Sequence, residues 1–251
     1  MVMLSGQAEA AGGGVVARIL DVMAADTISA VYQAVFQFPR RIVVGYEALA
    51  RFPDPQDYPV SQWFRDAAEA GLAISLEIAA IRRALDALSS LPADQWLAIN
   101  ASPQTLCSPQ LHALLESQDM SRVVLELTEH SRIADYGHLL RMLAPLRQAG
   151  ARIAIDDVGA GYASFQHVLE LKPDIIKLDK ALTRGLQTDP VKQALVRALV
   201  AFADEVDALI IAEGVETIDE LDALCSHGIT CLQGYHLARP APLTAVVGSL
   251  S

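Results

Sequence analysis

The sequence predicts an α/β fold, a modified TIM-type (β/α)8 barrel with one antiparallel strand pair near the N-terminus. Three observations lead there. Short apolar runs alternate with longer segments of helical period, the pattern of a parallel sheet wrapped in helices. The chain has 251 residues, a length at which a single β/α barrel closes. Only five residues, QFPRR at 37–41, separate the first two runs. That is too short for the crossover that parallel neighbours need, so these two strands should pair antiparallel.

Expected strands are 30–36, 42–48, 96–100, 122–127, 151–156, 174–178, 208–213 and 230–233. Between them, LEIAAIRRALDAL repeats apolar residues at intervals of three and four, the period of one buried helical face. Asp189-Pro190 supplies an N-cap and an N1 proline for a helix over 190–205. Thr217 and Glu220 form a capping-box pattern that opens a helix over 217–227, and Gly228 suits the position after it. Gly150 stops a helix over 137–149 in the same way.

Composition bounds the function. The chain is 52% hydrophobic and 6% aromatic, so a large core must be filled by Ala, Leu, Val and Ile. A net charge of -11 argues against a DNA or RNA polymer as partner. It leaves room for a small anion, because a bound cation reverses the local sign. Cys107, Cys225 and Cys231 lack metal-ligand spacing and cannot all pair, which suggests a reducing cytoplasm. No apolar run reaches the length of about 18 residues that a membrane helix needs. Residues 1–15 lack the basic and apolar regions of a signal peptide. They are expected to be a flexible leader or linker remnant, with the barrel over 16–251.

The polar residues fall at the strand ends. Glu47, Asn100, Glu126, Asp156, Glu213 and Gln233 close successive expected strands, and Lys177 stands near the end of the sixth. In a β/α barrel these ends converge on one mouth. Carboxylates gathered there would suppress each other's ionisation. Divalent cations resolve the conflict, and oxygen-only ligands suit Mg²⁺ or Mn²⁺. The stretch IAIDDVGAG carries the same logic. Asp156 can point into the mouth from the last strand position, while Asp157 begins the loop and is free to turn. Two aspartates leaving one strand can serve two metals. Taken alone, adjacent acids after a strand also fit a helix N-cap or a solvated turn. Seven polar strand ends in order outweigh that reading.

From about Tyr32 to Pro242 these motifs resemble the EAL family of cyclic di-GMP phosphodiesterases. The naming motif stands as Glu47-Ala48-Leu49-Ala50-Arg51. NASP, ELTE, DDVGAGYASF, IIKLDK, AEGVET and QGYHLARPAP follow in order, most of them at an expected strand end. The resemblance implies hydrolysis of cyclic di-GMP to linear pGpG with two divalent cations. It implies that Glu47, Asn100, Glu126 and Asp156 hold the first metal, and Asp156, Asp157 and Glu213 the second. Lys177 would touch the nucleophilic water or a phosphate oxygen, although a lysine paired to a carboxylate is a compatible plainer reading. Gln233 would orient water or ligand, or else cap strand-end backbone. Arg51 would grip a phosphate, Gln33 would line the ligand cleft, and Glu129 and Glu216 would support the loop and the metal site. For both glutamates the plain alternative is an ordinary helix-start acid. A homodimer is a further implication.

The chain departs from the family pattern in three places. DDVGAG stands for the usual DDFGTG, YQAVF lacks the usual proline, and EALAR has Ala50 where a leucine is usual. None removes an implied ligand. Two rival readings remain: a non-catalytic EAL-type receptor or interaction module, and an unrelated metal-dependent barrel enzyme such as an aldolase.

Overall fold

The structure is a computed structural model that describes residues 5–53, 58–127, 133–159 and 161–248. It opens with α1 (Ser5–Ala24), β1 (Ser29–Gln37) and β2 (Ile42–Arg51). Then come α2 (Val60–Glu69), α3 (Ala73–Leu85), β3 (Trp96–Asn100), α4 (Pro103–Leu106) and α5 (Pro109–Leu115). The middle of the chain forms β4 (Val123–Leu127), α6 (Tyr136–Gln148), β5 (Arg152–Val158), α7 (Tyr162–Leu171), β6 (Ile175–Leu178) and α8 (Lys180–Thr183). The last elements are α9 (Pro190–Glu205), β7 (Leu209–Ala212), α10 (Ile218–Ser226), β8 (Cys231–Leu232) and α11 (Leu243–Gly248).

Strands β1 to β8 close a barrel in sequence order. As the short 37–41 connection requires, β1 and β2 are antiparallel. Because β1 is the reversed strand, it also meets β8 antiparallel, while every other neighbouring pair is parallel. Capping matches the sequence pattern. Asp189 accepts from the backbone N–H groups of Val191 and Lys192 at 2.9 and 3.1 Å, and Thr217 and Glu220 cap α10 reciprocally.

The stretch expected to be a leader or linker remnant, 1–15, runs into α1, which spans Ser5–Ala24. Ala and Glu favour helix, which the glycine count of this stretch obscures. Further along α1, Ile19 and Val22 pack against Trp63, Ala67 and Leu76 of α2 and α3, and that burial stabilises the helix.

Alternation along the strands builds the interior. Val35, Trp96, Ala98, Val124, Ala154, Ile175, Ile211 and Cys231 form one apolar cluster contributed by seven strands. β2 contributes Gly45 instead. A Cβ there would lie 2.1 Å from the Trp96 ring, so the missing side chain is what admits the indole. A strand points every second residue to the same face. Two residues beyond this layer therefore stand Glu47, Asn100, Glu126, Asp156, Lys177, Glu213 and Gln233, next to or on the C-terminal strand ends. On the reversed β1 the corresponding residue precedes Val35. It is Gln33, register partner of Glu47.

Candidate metal centre

The centre is built around Lys177, whose side chain is 1% exposed. Its Nζ lies 2.7 Å from Glu213 Oε1, 3.0 Å from Glu126 Oε2, 3.2 Å from Asp156 Oδ1 and 3.5 Å from Glu47 Oε2. Burial alone would lower the lysine's pKa. The four surrounding carboxylates outweigh it and hold the ammonium well above its ordinary value. Glu126 is driven well above the usual carboxylate range, first by burial and then by Glu47, Asp156 and Glu213, against the pull of Lys177. Burial likewise raises Glu213, to about 8.

Asp157 completes the acid set by an irregularity in β5. The sequence placed it at the start of the loop, but it lies inside the strand. Between Ile155 and Val158 the register with β6 shifts, so that three steps on β5 match two on β6. Asp157 itself adopts a left-handed φ of 53°, a conformation that aspartate tolerates better than most residues. Its N–H donates to Asp156 Oδ1 at 3.0 Å. The bulge lets two consecutive side chains serve one mouth, where a regular strand would send them to opposite faces.

Two groups of carboxylates result. Glu47, Glu126 and Asp156 each offer an oxygen within 4.8 Å of the others, and so do Asp156, Asp157 and Glu213. Asp156 belongs to both. The donor chemistry fits hard divalent cations, since both groups are carboxylates alone. The charge balance fits as well: the two groups hold five carboxylates, and one ammonium, Lys177, pairs with four of them. Asn100 Nδ2 donates to Glu47 Oε1 at 3.3 Å. Gln233 Nε2 donates to Glu47 Oε2 at 2.7 Å and to Gln33 Oε1 at 3.1 Å. Gln233 Oε1 is buried and has no hydrogen-bond partner among the described residues. A bound cation or its water would satisfy it.

A cavity of about 470 Å³ opens over these groups, lined by Gln33, Glu47, Asp157, Glu213 and Gln233 among others. A second cavity, of about 370 Å³ and mostly apolar, lies on the β2–β3 side and takes in Arg51, Asn100, Ala48, Ala50 and Phe64. Arg51 lines this second cavity together with Asn100, and its Nη1 donates to the carbonyl of Ala50 at 2.8 Å. Glu216 lines the larger cavity with Glu47, Asp157 and Glu213. It sits on the rim of the larger cavity and pairs with Arg184. Glu129 lies outside the described residues.

Sequence reasoning missed Lys180, Arg184 and Tyr235, which line the larger cavity. They stand in or beside loops, where no periodicity marks them. The available signals were that Lys180 and Tyr235 follow closely on strand ends and stand within the IIKLDK and QGYHLARPAP stretches.

The chain is similar to known proteins. PdeR of Escherichia coli (strain K12), a cyclic di-GMP phosphodiesterase, is 31% identical over 79% of this chain and 32% of its own length. The chain spans no more than 32% of this relative and of two further curated relatives. The PaMucR phosphodiesterase in its c-di-GMP complex superposes with a TM-score of 0.81 at 27% identity, over 93% of this chain and 99% of that one. BlrP1 of Klebsiella pneumoniae, in a manganese/cy-diGMP complex, superposes with a TM-score of 0.74 at 31% identity, over 86% of this chain and 56% of that one. The EAL domain model matches residues 17–240. The chain belongs to the EAL domain family.

Proposed function

We propose that this protein hydrolyses one phosphodiester of cyclic di-GMP to give linear pGpG, with two divalent cations, Mg²⁺ or Mn²⁺. The observation that carries the reading is the pair of carboxylate groups sharing Asp156 on the barrel mouth. Glu47, Asn100, Glu126 and Asp156 are assigned to one cation, and Asp156, Asp157 and Glu213 to the other. Bound there, the cations supply charge stabilisation on the phosphate and lower the pKa of a coordinated water.

The chain's own groups do the rest. Lys177 remains protonated and holds a positive charge beneath the reacting phosphate. Asn100 and Gln233 orient the Glu47 carboxylate through its two oxygens. The unpartnered Gln233 Oε1 accepts from the attacking water. Gln33 fixes Gln233 in turn, and itself donates to the Ala238 carbonyl at 3.0 Å. Arg51 binds a phosphate from the edge of the apolar cavity, where its planar fork suits the oxygens. Glu216 supports the rim, and Glu129 is assigned to loop support by its motif alone.

The barrel unit is assigned to 16–251, in the cytoplasm, with no membrane span; no helix among the described residues is long and apolar enough to cross a bilayer. A homodimer belongs to the same proposal, and light scattering that shows monomer at every concentration would remove it. The enzymatic reading is tested by incubating the chain with cyclic di-GMP. Linear pGpG should accumulate with Mg²⁺ or Mn²⁺ and cease with chelator. Intact substrate in the presence of either metal would overturn it.

A further inference from the structure

The larger cavity is lined both by metal-centre acids and by Lys180 and Arg184, from and just after α8. Among the described residues lining the cavity these two carry its positive charge. Arg184 Nη2 pairs with Glu216 Oε1 at the rim, with side chains 55% and 46% exposed. An ion pair this exposed is readily exchanged for a ligand.

The backbone under the pair is fixed although the pair itself is exposed. Lys192 Nζ donates to the carbonyls of Ala181 and Arg184, each at 2.6 Å. Glu220 then joins the two rim turns. Its Oε1 accepts from Gly185 N–H at 3.3 Å, and its Oε2 accepts from Glu216 N–H at 2.9 Å. Arg184 and Glu216 thus stand on backbones tied to one carboxylate. Tyr235, 53% exposed, adds an aromatic ring to the same cavity, with Arg239 4.5 Å from its centroid.

A guanidinium beside a carboxylate offers a row of donors next to a row of acceptors. Guanine presents the complement: O6 and N7 accept, while N1–H and N2–H₂ donate. Arginine bidentate to O6 and N7 is a common guanine contact, and an exposed aromatic gives a base a face to stack on. Adenine places an amino donor where guanine has O6, and it lacks N1–H. We propose that Arg184 is a specificity residue that reads the O6/N7 edge of one guanine of the substrate, with Glu216 accepting from that guanine's N1–H and N2–H₂. The inference rests on the cyclic di-GMP reading above.

The test measures steady-state turnover of cyclic di-GMP, and inhibition of that turnover by cyclic di-AMP, for wild type, Arg184→Ala and Arg184→Lys. Thermal melts confirm that the variants fold. Arg184→Ala should raise KM for cyclic di-GMP about tenfold to a hundredfold, leave kcat nearly unchanged, and leave the cyclic di-AMP inhibition constant unchanged. Arg184→Lys should recover little, because an ammonium cannot bridge O6 and N7. Unchanged KM in Arg184→Ala overturns the assignment. So does an equal loss for both nucleotides, or full recovery by lysine, since either marks a phosphate contact. Wild type that turns over cyclic di-GMP beside an indifferent Arg184→Ala sinks this assignment alone. Wild type that neither binds nor cleaves it sinks the functional reading as well.

Discussion

Asp156 and Asp157 are consecutive in sequence, yet each offers a carboxylate oxygen within 4.8 Å of Glu213's, because the chain bulges and turns left-handed at Asp157. Asp156 also belongs to the group with Glu47 and Glu126, whereas Asp157 does not. The two aspartates are therefore unequal. Asp156→Asn should weaken both cation sites and lower kcat by at least on the order of 10²–10³. Asp157→Asn should leave the Glu47–Glu126 side able to bind. Metal titrations of the two variants check this, and identical loss in both would contradict it.

Lys177 is the buried counter-charge of the acid cluster. Lys177→Met should destabilise the metal-free protein by about 3–5 kcal/mol, the usual cost of leaving buried charge unpaired. Saturating Mg²⁺ should restore part of the loss. Urea unfolding with chelator and with Mg²⁺ measures both. A variant as stable as wild type in chelator would show that Lys177 does not hold the cluster together.

Gly234 follows Gln233 and passes close to the β7–α10 turn. A Cβ there would lie 2.2 Å from the backbone N and O of Val215, and backbone cannot move aside as a side-chain tip can. Gly234→Ala should cost about 1–3 kcal/mol and displace Gln233 from Glu47. Turnover and thermal melts should fall together. Unchanged turnover would mean that the position of Gln233 does not matter.

Glu220 links acid stability to the rim. Burial raises its pKa, but N–H donors from Glu216, Gly185 and Thr217, with the Thr217 hydroxyl, outweigh burial and leave it below the ordinary value of 4.5. A carboxyl depressed on folding contributes stability above its unfolded pKa and loses it as pH falls through the folded one. The contribution is therefore complete above about pH 4.5 and disappears below it. Glu220→Ala should cost about 1 kcal/mol at neutral pH and flatten the acid limb of the stability curve. An acid limb equal to wild type would contradict the cap's role.

Much of the fold and most of the acid centre were legible because a strand's period of two ties a mouth residue to an apolar one. Glu126 lies two residues beyond Val124, Asp156 two beyond Ala154, and Lys177 two beyond Ile175. The short 37–41 link fixed the reversed strand by chain length alone. Other features have no such period. Asp157 reads as a loop residue until the β5 bulge is seen. Arg184 and Tyr235 reach the cavity from loops whose course depends on packing.

The central claim is that Asp156 joins two cation sites at one barrel mouth. Calorimetric titration of Mn²⁺ into the chelator-treated protein, beside Asp156→Asn, tests it most directly. The account predicts two Mn²⁺ bound per wild-type chain and severe weakening of both in the variant. One Mn²⁺ per wild-type chain, or a variant that still binds two, would contradict it.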